Sequence, residues 1–162
     1  MTEDVDTLLK QQGIIRIDKE GAWFYNDLPI INRKIYLFFN QHITKDEEGG
    51  YSLKIGSETC RLAVEDTPYV VSDISLVTTE SPPENFFKIK LNDETEQALD
   101  LATLYIGQDN VPYCTVKRGE FPARFLRAPY YRLAEHIEQE GEEDFYIFLN
   151  SKKVYVAFKK RG

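Results

Sequence analysis

The sequence predicts an α+β fold of two related antiparallel β-sheet units, each carrying one main helix, that pack together. Three observations lead to this prediction. Short segments alternate between apolar and polar residues, as strands do, and Gly, Asn or Pro separates them. Two longer segments, after Asn32 and from Pro129, carry apolar residues at helical spacing. The second of these segments also repeats residues of the first.

The predicted N-terminal unit spans residues 1–80. It begins with a short helix that ends at Gly13, because Gly is frequent at helix C-termini. A hairpin over residues 14–26 follows. Asn32, a favourable N-cap, then begins the main helix, whose apolar face extends from Ile35 to Ile43. The remaining strands of this unit are predicted over residues 51–55, 58–65, 67–71 and 74–79.

The predicted C-terminal unit spans residues 84–162, because Ser81-Pro82-Pro83 interrupts the strand pattern and marks the joint between the units. Its main helix begins at Pro129 and runs over about residues 129–140, before Gly141. Residues 95–106 fit either a helix or strands, and strands are the favoured interpretation. The other strands are predicted over residues 86–91, 113–117 and 120–125, with a final hairpin over 145–149 and 154–158.

An internal repeat relates the two units. Four residues of the first unit recur 94 positions later: Arg33, Tyr36, His42 and Ile43 match Arg127, Tyr130, His136 and Ile137. Each copy runs through a hairpin, a proline, Arg-x-x-Tyr, an amphipathic helix, an acidic loop and another hairpin. The alternative is a coincidence among common residue types. Duplicated units would each have an apolar surface to bury against the other, so we expect a pocket where they meet.

Charge and composition exclude several classes of protein. Twenty basic against 27 acidic residues give a net charge of −7, which disfavours binding to nucleic acid. No apolar run is long enough to span a membrane, and the acidic start lacks the features of a secretory signal. Cys60 and Cys114, the two cysteines, lack the spacing of a zinc site or a disulfide framework. A cytoplasmic protein is therefore expected.

The sequence predicts no catalytic residue, metal site or cofactor. It contains neither a phosphate-binding glycine loop nor the HExxH or GxSxG motif. His42 and His136 are expected to be structural, because a metal site needs further converging ligands. Glu65 and Asp66 are neighbours on a strand and point to opposite faces, so a turn-capping role for Asp66 is favoured over acid–base catalysis.

The most informative segment for binding is RGEFPARFLRAPYYR, residues 118–132. Residues 111–133 carry a local net charge of +4, although the whole chain is acidic. Arg124 and Arg127 come just before Tyr130 and Tyr131, where the chain turns from strand to helix. Guanidinium groups suit phosphate or carboxylate, so this segment predicts an anion site. Alternatively, these arginines pair with the acidic excess and hold the two halves in register.

Several motifs resemble those of the bacterial family called domain of unknown function 1285 (DUF1285). They are WFYNDLPI (23–30) with Arg33, VEDTPY (64–69), and Pro112-Tyr113 followed by Arg124 and RAPYY (127–131). The resemblance covers about residues 14–137. It implies a duplicated core, a second half that superficially resembles a pleckstrin-homology domain, and a nucleotide-like ligand bound between the halves in signal transduction. It implies ligand contacts for Arg33, Asp66, Arg124, Arg127, Tyr130 and Tyr131.

The leading functional hypothesis is a non-catalytic cytoplasmic module that senses a small anionic or nucleotide-like molecule at the interface of its halves. A protein–protein interaction module, using strand edges and exposed aromatic residues, is the first alternative. The second alternative is an enzyme that uses Glu65, Asp66 or the histidines on a phosphate ester.

Overall fold

Strands and two α-helices form an α+β arrangement across residues 13–159, the residues that this computed structural model describes. The α+β class is therefore confirmed. The chain divides into two units, the first ending at Pro68 and the second beginning at Tyr69. The short helix predicted before Gly13 lies outside the described residues.

The first unit contains one six-stranded sheet and one helix. Its elements are β1 (Ile15–Ile17), β2 (Trp23–Tyr25), β3 (Leu28–Pro29), α1 (Arg33–Asn40), β4 (Ile43–Lys45), β5 (Tyr51–Ile55) and β6 (Glu58–Val64). The strand order is β3-β2-β1-β6-β5-β4. Strands β1 and β6 are parallel, whereas the sequence predicts an antiparallel sheet. A parallel neighbour is possible here because α1 and the β4–β5 hairpin provide the long crossover that such a pair needs.

Helix α1 begins where the sequence predicts but ends earlier. The Asn32 side chain accepts a hydrogen bond from the Ile35 amide, as an N-cap does. The helix ends at Asn40, although helical spacing extends the predicted apolar face to Ile43. Ile43 instead begins β4 and pairs with Leu53, which suits a β-branched residue.

The second unit contains a seven-stranded and a three-stranded sheet. Its elements are β7 (Tyr69–Glu80), β8 (Pro83–Leu91), β9 (Glu96–Ala98), β10 (Tyr105–Ile106), β11 (Pro112–Val116), β12 (Phe121–Phe125), α2 (Arg127–Ala134), β13 (Ile137–Glu140), β14 (Asp144–Leu149), β15 (Lys152–Tyr155) and β16 (Ala157–Phe158). The orders are β16-β10-β11-β12-β7-β8-β9 and β13-β14-β15. The β12–β7 and β10–β16 pairs are parallel.

The joint between the units and the limits of the second main helix differ from the prediction. Ser81-Pro82-Pro83 lies at the turn of the β7–β8 hairpin, inside the second unit, where Glu80 pairs with Pro83. Proline at a strand end interrupts the pattern without ending the sheet. Helix α2 spans Arg127–Ala134 rather than 129–140, because Ile137–Glu140 pairs with β14. Residues 95–106, for which strands were the favoured interpretation, do form two strands, β9 and β10, with a single 3-10 turn at Leu101–Thr103 between them.

The two units share a strand order. In the first sheet, the three consecutive strands β1, β2 and β3 are neighbours in turn, and β6 lies on the other side of β1. In the seven-stranded sheet of the second unit, β10, β11 and β12 are neighbours in the same way, and β16 lies on the other side of β10. Helices α1 and α2 also begin 94 positions apart and have equal lengths. The registers of the following hairpins agree at the same offset. Ile43 pairs with Leu53 as Ile137 pairs with Ile147, and Ile55 pairs with Glu58 as Leu149 pairs with Lys152.

Candidate functional site

An open groove of about 400 Å³ lies in the second unit. This volume falls in the range of small-molecule sites. Eight residues line it: Ile106, Asn110, Tyr130, Ala134, Ile137, Gln139, Phe145 and Phe158. We call it the second-unit groove. Its lining is mostly aliphatic and aromatic, with two amide side chains, which is the usual composition of a site that holds a small organic molecule.

Helix α2 and four short strands position the lining. Tyr130 and Ala134 lie one helical turn apart, so they share a face of α2. Ile106 comes from β10, while Phe145 and Phe158 come from β14 and β16. The Phe145 and Phe158 rings contact each other with centroids 5.2 Å apart. These rings form an aromatic wall that a flat ligand ring can contact.

An arginine lies on the same stripe of α2. Arg127 is the first residue of the helix and is exposed. It precedes Tyr130 by three residues and Ala134 by seven, and a helix places residues at these spacings on one face. Tyr131 is next to Tyr130, with ring centroids 5.7 Å apart, and its side chain is 59% exposed. Arg127 and the lining residues Tyr130 and Ala134 thus belong to one face of α2.

The other predicted ligand contacts lie elsewhere. Arg124 is half-buried on β12, where it pairs with Tyr113, and it does not line the groove. Arg33 begins α1, and the half-buried Asp66 follows β6, so both belong to the first unit. The structure thus places Arg127, Tyr130 and Tyr131 together on α2. Tyr130 alone among the six predicted residues lines the groove.

Part of the basic segment is used in ion pairs within the second unit. Arg132 pairs with Asp73. Lys117 Nζ lies 2.6 Å from Asp93 Oδ2, and the Asp93 side chain is only 1% exposed. Asp93 also accepts hydrogen bonds from the Thr95 amide at 3.0 Å and from the Thr95 hydroxyl at 2.6 Å. This buried network joins the β8–β9 turn to the β11–β12 turn. Arg132 and Lys117 thus pair with acidic residues of their own unit, whereas pairing that holds the two halves in register stays a prediction.

The same network affects Tyr69. The Lys117 ammonium lies 5.2 Å from the centroid of the Tyr69 ring. Burial, and to a lesser degree the Asp93 carboxylate, raises the pKa of Tyr69. The phenol therefore stays protonated at neutral pH and serves as a packed, neutral neighbour of the ion pair.

The histidines and one of the paired carboxylates make structural contacts. His42 donates its Nδ1–H to the Phe38 carbonyl at 2.7 Å. The His136 ring packs edge-on against Phe87, with centroids 5.0 Å apart. Glu65 accepts a hydrogen bond from the Lys19 amide at 2.6 Å, which fixes the β1–β2 turn. Among residues 13–159, no group of three or more metal-ligating side chains converges.

Sequence reasoning did not identify most of the lining. Ile106, Gln139, Phe145 and Phe158 lie in four separate strands, and each is ordinary in its own segment. One signal was available in the repeat. Ala134 stands where the first copy has Asn40, a larger residue at the same offset of 94.

Two solved structures match most of the chain. A DUF1285 family protein from Silicibacter pomeroyi DSS-3 has 22% identity and a TM-score of 0.71, over 88% of this chain and 79% of that one. In fold, this chain is similar to the DUF1285 proteins. A second DUF1285 protein, from Shewanella baltica OS155, has 20% identity and a TM-score of 0.61, over 76% of this chain and 91% of that one.

The resemblance to DUF1285 predicted from the motifs is confirmed by these structures at the level of the fold. No family model and no curated protein sequence matches the chain. Between residues 13 and 159, no helix combines the length and the apolar character needed to cross a membrane.

Proposed function

We propose that this chain is a non-catalytic module that binds a small anionic, nucleotide-like molecule in the second-unit groove. One observation carries the proposal: two residues that line this open, aromatic-walled groove, Tyr130 and Ala134, lie on the same face of α2 as the exposed Arg127. The sequence-based hypothesis places the ligand at the interface of the halves. The present proposal needs only the second unit, because the groove is complete within it.

The groove offers three kinds of contact to such a ligand. Phe145 and Phe158 present rings on which a flat heterocycle can stack. Gln139 donates its amide N–H to the Glu142 carbonyl at 3.3 Å, which leaves its side-chain oxygen available as an acceptor. Arg127 can bind a phosphate or carboxylate through two parallel hydrogen bonds. Together these contacts would hold the ligand's ring by stacking, a donor on the edge of the ring by a hydrogen bond, and its anionic group by the guanidinium.

The composition of the lining favours binding over catalysis. The described residues that line the groove include no carboxylate, imidazole or thiol. General acid–base catalysis near neutral pH usually relies on a side chain of this kind within hydrogen-bonding reach of the substrate. A bound molecule in this groove therefore meets stacking surfaces, two amides and the Tyr130 phenol, without the carboxylate, imidazole or thiol on which acid–base catalysis most often relies.

We also propose that the chain is a DUF1285 protein whose two units arose by duplication. Equal helix lengths and equal hairpin registers at one offset of 94 support the duplication, since unrelated sheets would not share them. Location in the cytoplasm, a role in signal transduction and a pleckstrin-like second half come from the sequence and its family resemblance, and they stay predictions.

The proposal is tested by titrating the full chain with AMP, ADP and cyclic AMP in a thermal-shift assay and by calorimetry. A ligand that binds only the folded state raises the unfolding midpoint. Arg127→Gln should weaken binding about tenfold, because a hydrogen bond to a charged group contributes about 1.5–3 kcal/mol. Arg118→Gln is the matched control, since Arg118 is an exposed arginine on the β11–β12 turn.

The proposal is overturned if none of these nucleotides binds at millimolar concentration. It is also overturned if Arg127→Gln and Arg118→Gln weaken binding equally, because the effect would then reflect net charge rather than a site.

A protein-interaction module is the second candidate, favoured by the outer face of the β13–β15 sheet. Phe148 is 57% and Tyr155 54% exposed, and the Lys153 ammonium lies 4.8 Å from the Tyr146 ring centroid. Exposed aromatic residues are typical of interaction surfaces. Leu28→Ser, at an exposed apolar residue of the first unit, is the control for Phe148→Ser. If no nucleotide binds, this candidate is favoured by a protein partner whose binding is lost with Phe148→Ser and kept with Leu28→Ser.

A further inference from the structure

The first unit encloses a tryptophan beneath its helix. Trp23 is 3% exposed, and its indole N–H donates a hydrogen bond to the Asn40 side-chain oxygen at 3.0 Å. The indole ring also packs against Phe39, with centroids 5.5 Å apart. Both partners belong to α1. The space between the helix and strand β2 is therefore filled by an aromatic bicyclic ring.

The strand ladders identify the equivalent position in the second unit. Ile17 pairs with Trp23 on one side and with Val64, in a parallel ladder, on the other. Ile106 likewise pairs with Pro112 on one side and with Phe158, in a parallel ladder, on the other. Ile106 thus takes the place of Ile17 in its sheet. Pro112 takes the place of Trp23.

The helix residues around this position are also smaller in the second unit. Asn40 and Ala134 are the last residues of their helices, and Phe39 and Leu133 come just before them. Tryptophan, phenylalanine and asparagine in the first unit thus correspond to proline, leucine and alanine in the second. Protein interiors are close-packed, so this loss of side-chain volume must be compensated or left open. Phe158, which takes the place of Val64 in the parallel ladder, compensates part of it, and the second-unit groove is the part left open. Ile106 and Ala134, at two of the equivalent positions, line the second-unit groove.

We infer that the groove binds a flat bicyclic aromatic ring of indole size that bears an anionic group, in the position that Trp23 fills in the first unit. This inference rests on the proposed function and narrows its ligand class. The Asn40 oxygen accepts the indole N–H in the first unit, but the Ala134 methyl group cannot accept a hydrogen bond. At the position equivalent to Asn40, the second-unit groove therefore offers a ring N–H no acceptor, and the ring is selected there by its shape.

The inference is tested on the full chain by calorimetry with naphthalene-1-acetate, indole-3-acetate and phenylacetate. We expect dissociation constants of about 1 mM or lower, an affinity that ligands of this size can reach, and this sets the concentration range. The two bicyclic acids should bind with similar affinity, because the ring N–H has no acceptor at Ala134. Phenylacetate should bind about tenfold more weakly, because it lacks the apolar area of the second ring.

Two variants of Ala134 test the position. Ala134→Trp should weaken binding of the bicyclic acids at least about tenfold, because it places a bicyclic ring in the groove. Ala128→Trp is the matched control: Ala128 is exposed on the same helix and six residues away, hence on a different face. Ala134→Asn restores the acceptor of the first unit, so it should make indole-3-acetate bind more tightly than naphthalene-1-acetate.

The outcomes separate this inference from the proposed function. Equal affinity for phenylacetate and the bicyclic acids, or equal effects of Ala134→Trp and Ala128→Trp, would overturn the inference. If AMP binds with dependence on Arg127 while the bicyclic acids do not bind, the inference is wrong and the proposed function stands. If neither AMP nor any of the acids binds, both are wrong. If Ala134→Trp does not fold, the reversed preference of Ala134→Asn decides the matter.

Discussion

Replacing Lys117 with methionine should destabilise the second unit more than removal of any exposed lysine. The substitution keeps the length of the side chain but removes the ammonium group 2.6 Å from Asp93. It leaves a carboxylate that is 1% exposed with the two hydrogen bonds from Thr95 but without its cation. Because methionine, like lysine, has a Cβ atom, the positive φ of 56° at this position costs the same in both proteins.

The magnitude follows from burial. Removing one partner of a fully buried ion pair costs about 3–5 kcal/mol, because the other charge stays buried without compensation. The Lys117 side chain is 27% exposed, so water can partly solvate the vacated side of Asp93. We therefore expect a loss of about 3 kcal/mol in the free energy of unfolding, at the lower end of that range. Lys88→Met, which breaks an exposed pair with Glu96 at 2.9 Å, should cost less than about 1 kcal/mol.

Urea unfolding followed by far-UV circular dichroism measures both variants. The single tryptophan, Trp23, lies in the first unit, so its fluorescence reports on that unit and not on the network. Asp93→Asn combined with Lys117→Met should cost less than the sum of the single substitutions, by about 1–3 kcal/mol, because the two groups contact each other. A Lys117→Met protein within about 0.5 kcal/mol of the wild type would refute the reasoning.

Three further predictions concern other sites. Burial raises the pKa of the Cys114 thiol to about 12, so between about pH 9 and 12 the thiol ionises in the unfolded chain but not in the folded protein. The free energy of unfolding of the wild type should therefore fall as the pH rises through this range, by up to about 1.4 kcal/mol per pH unit more than that of Cys114→Ala. Urea unfolding at several pH values measures both proteins. Asn150 and Ser151 form the two-residue turn between the paired Leu149 and Lys152, and both have positive φ, 52° and 64°. Glycine adopts a positive φ without steric cost, so Ser151→Gly should raise the free energy of unfolding by about 0.5–1 kcal/mol. An equal gain in Ser151→Ala would contradict this reason. Trp23→Phe should cost about 2 kcal/mol, since it removes the bond to Asn40 and leaves unfilled volume, and unchanged thermal unfolding would contradict it.

Local rules predicted the elements whose determinants are near in sequence. The strands over residues 51–55 and 58–65 were predicted with nearly the observed limits, because Gly56 adopts the positive φ of a hairpin turn between them. The start of α1 followed from the Asn32 cap. Its end did not, because Ile43 satisfies helical spacing and strand preference equally, and only pairing with Leu53 decides between them.

Features that depend on distant residues could not be predicted in the same way. The parallel pair of β1 and β6 joins residues more than 40 positions apart, and no local pattern indicates it. The candidate site shows the same limit. Arg127 and Tyr130 were found because charge and aromatic residues cluster in one segment, whereas Ile106 and Phe158 come together only through the β10–β16 ladder.

The edges of the sheets have a consequence for solubility. An unpaired strand edge can recruit another chain, and aromatic-rich strands make such recruitment more favourable. Strand β3, at one edge of the first sheet, has two residues, one of which is Pro29 and cannot donate a hydrogen bond. In the second unit, β7 covers β12 and the sheet ends at β9, three residues long, where Glu96 pairs with Lys88. At these two edges, another chain could therefore pair only with a strand that is short and either contains proline or is charged, although 13% of the residues in this chain are aromatic.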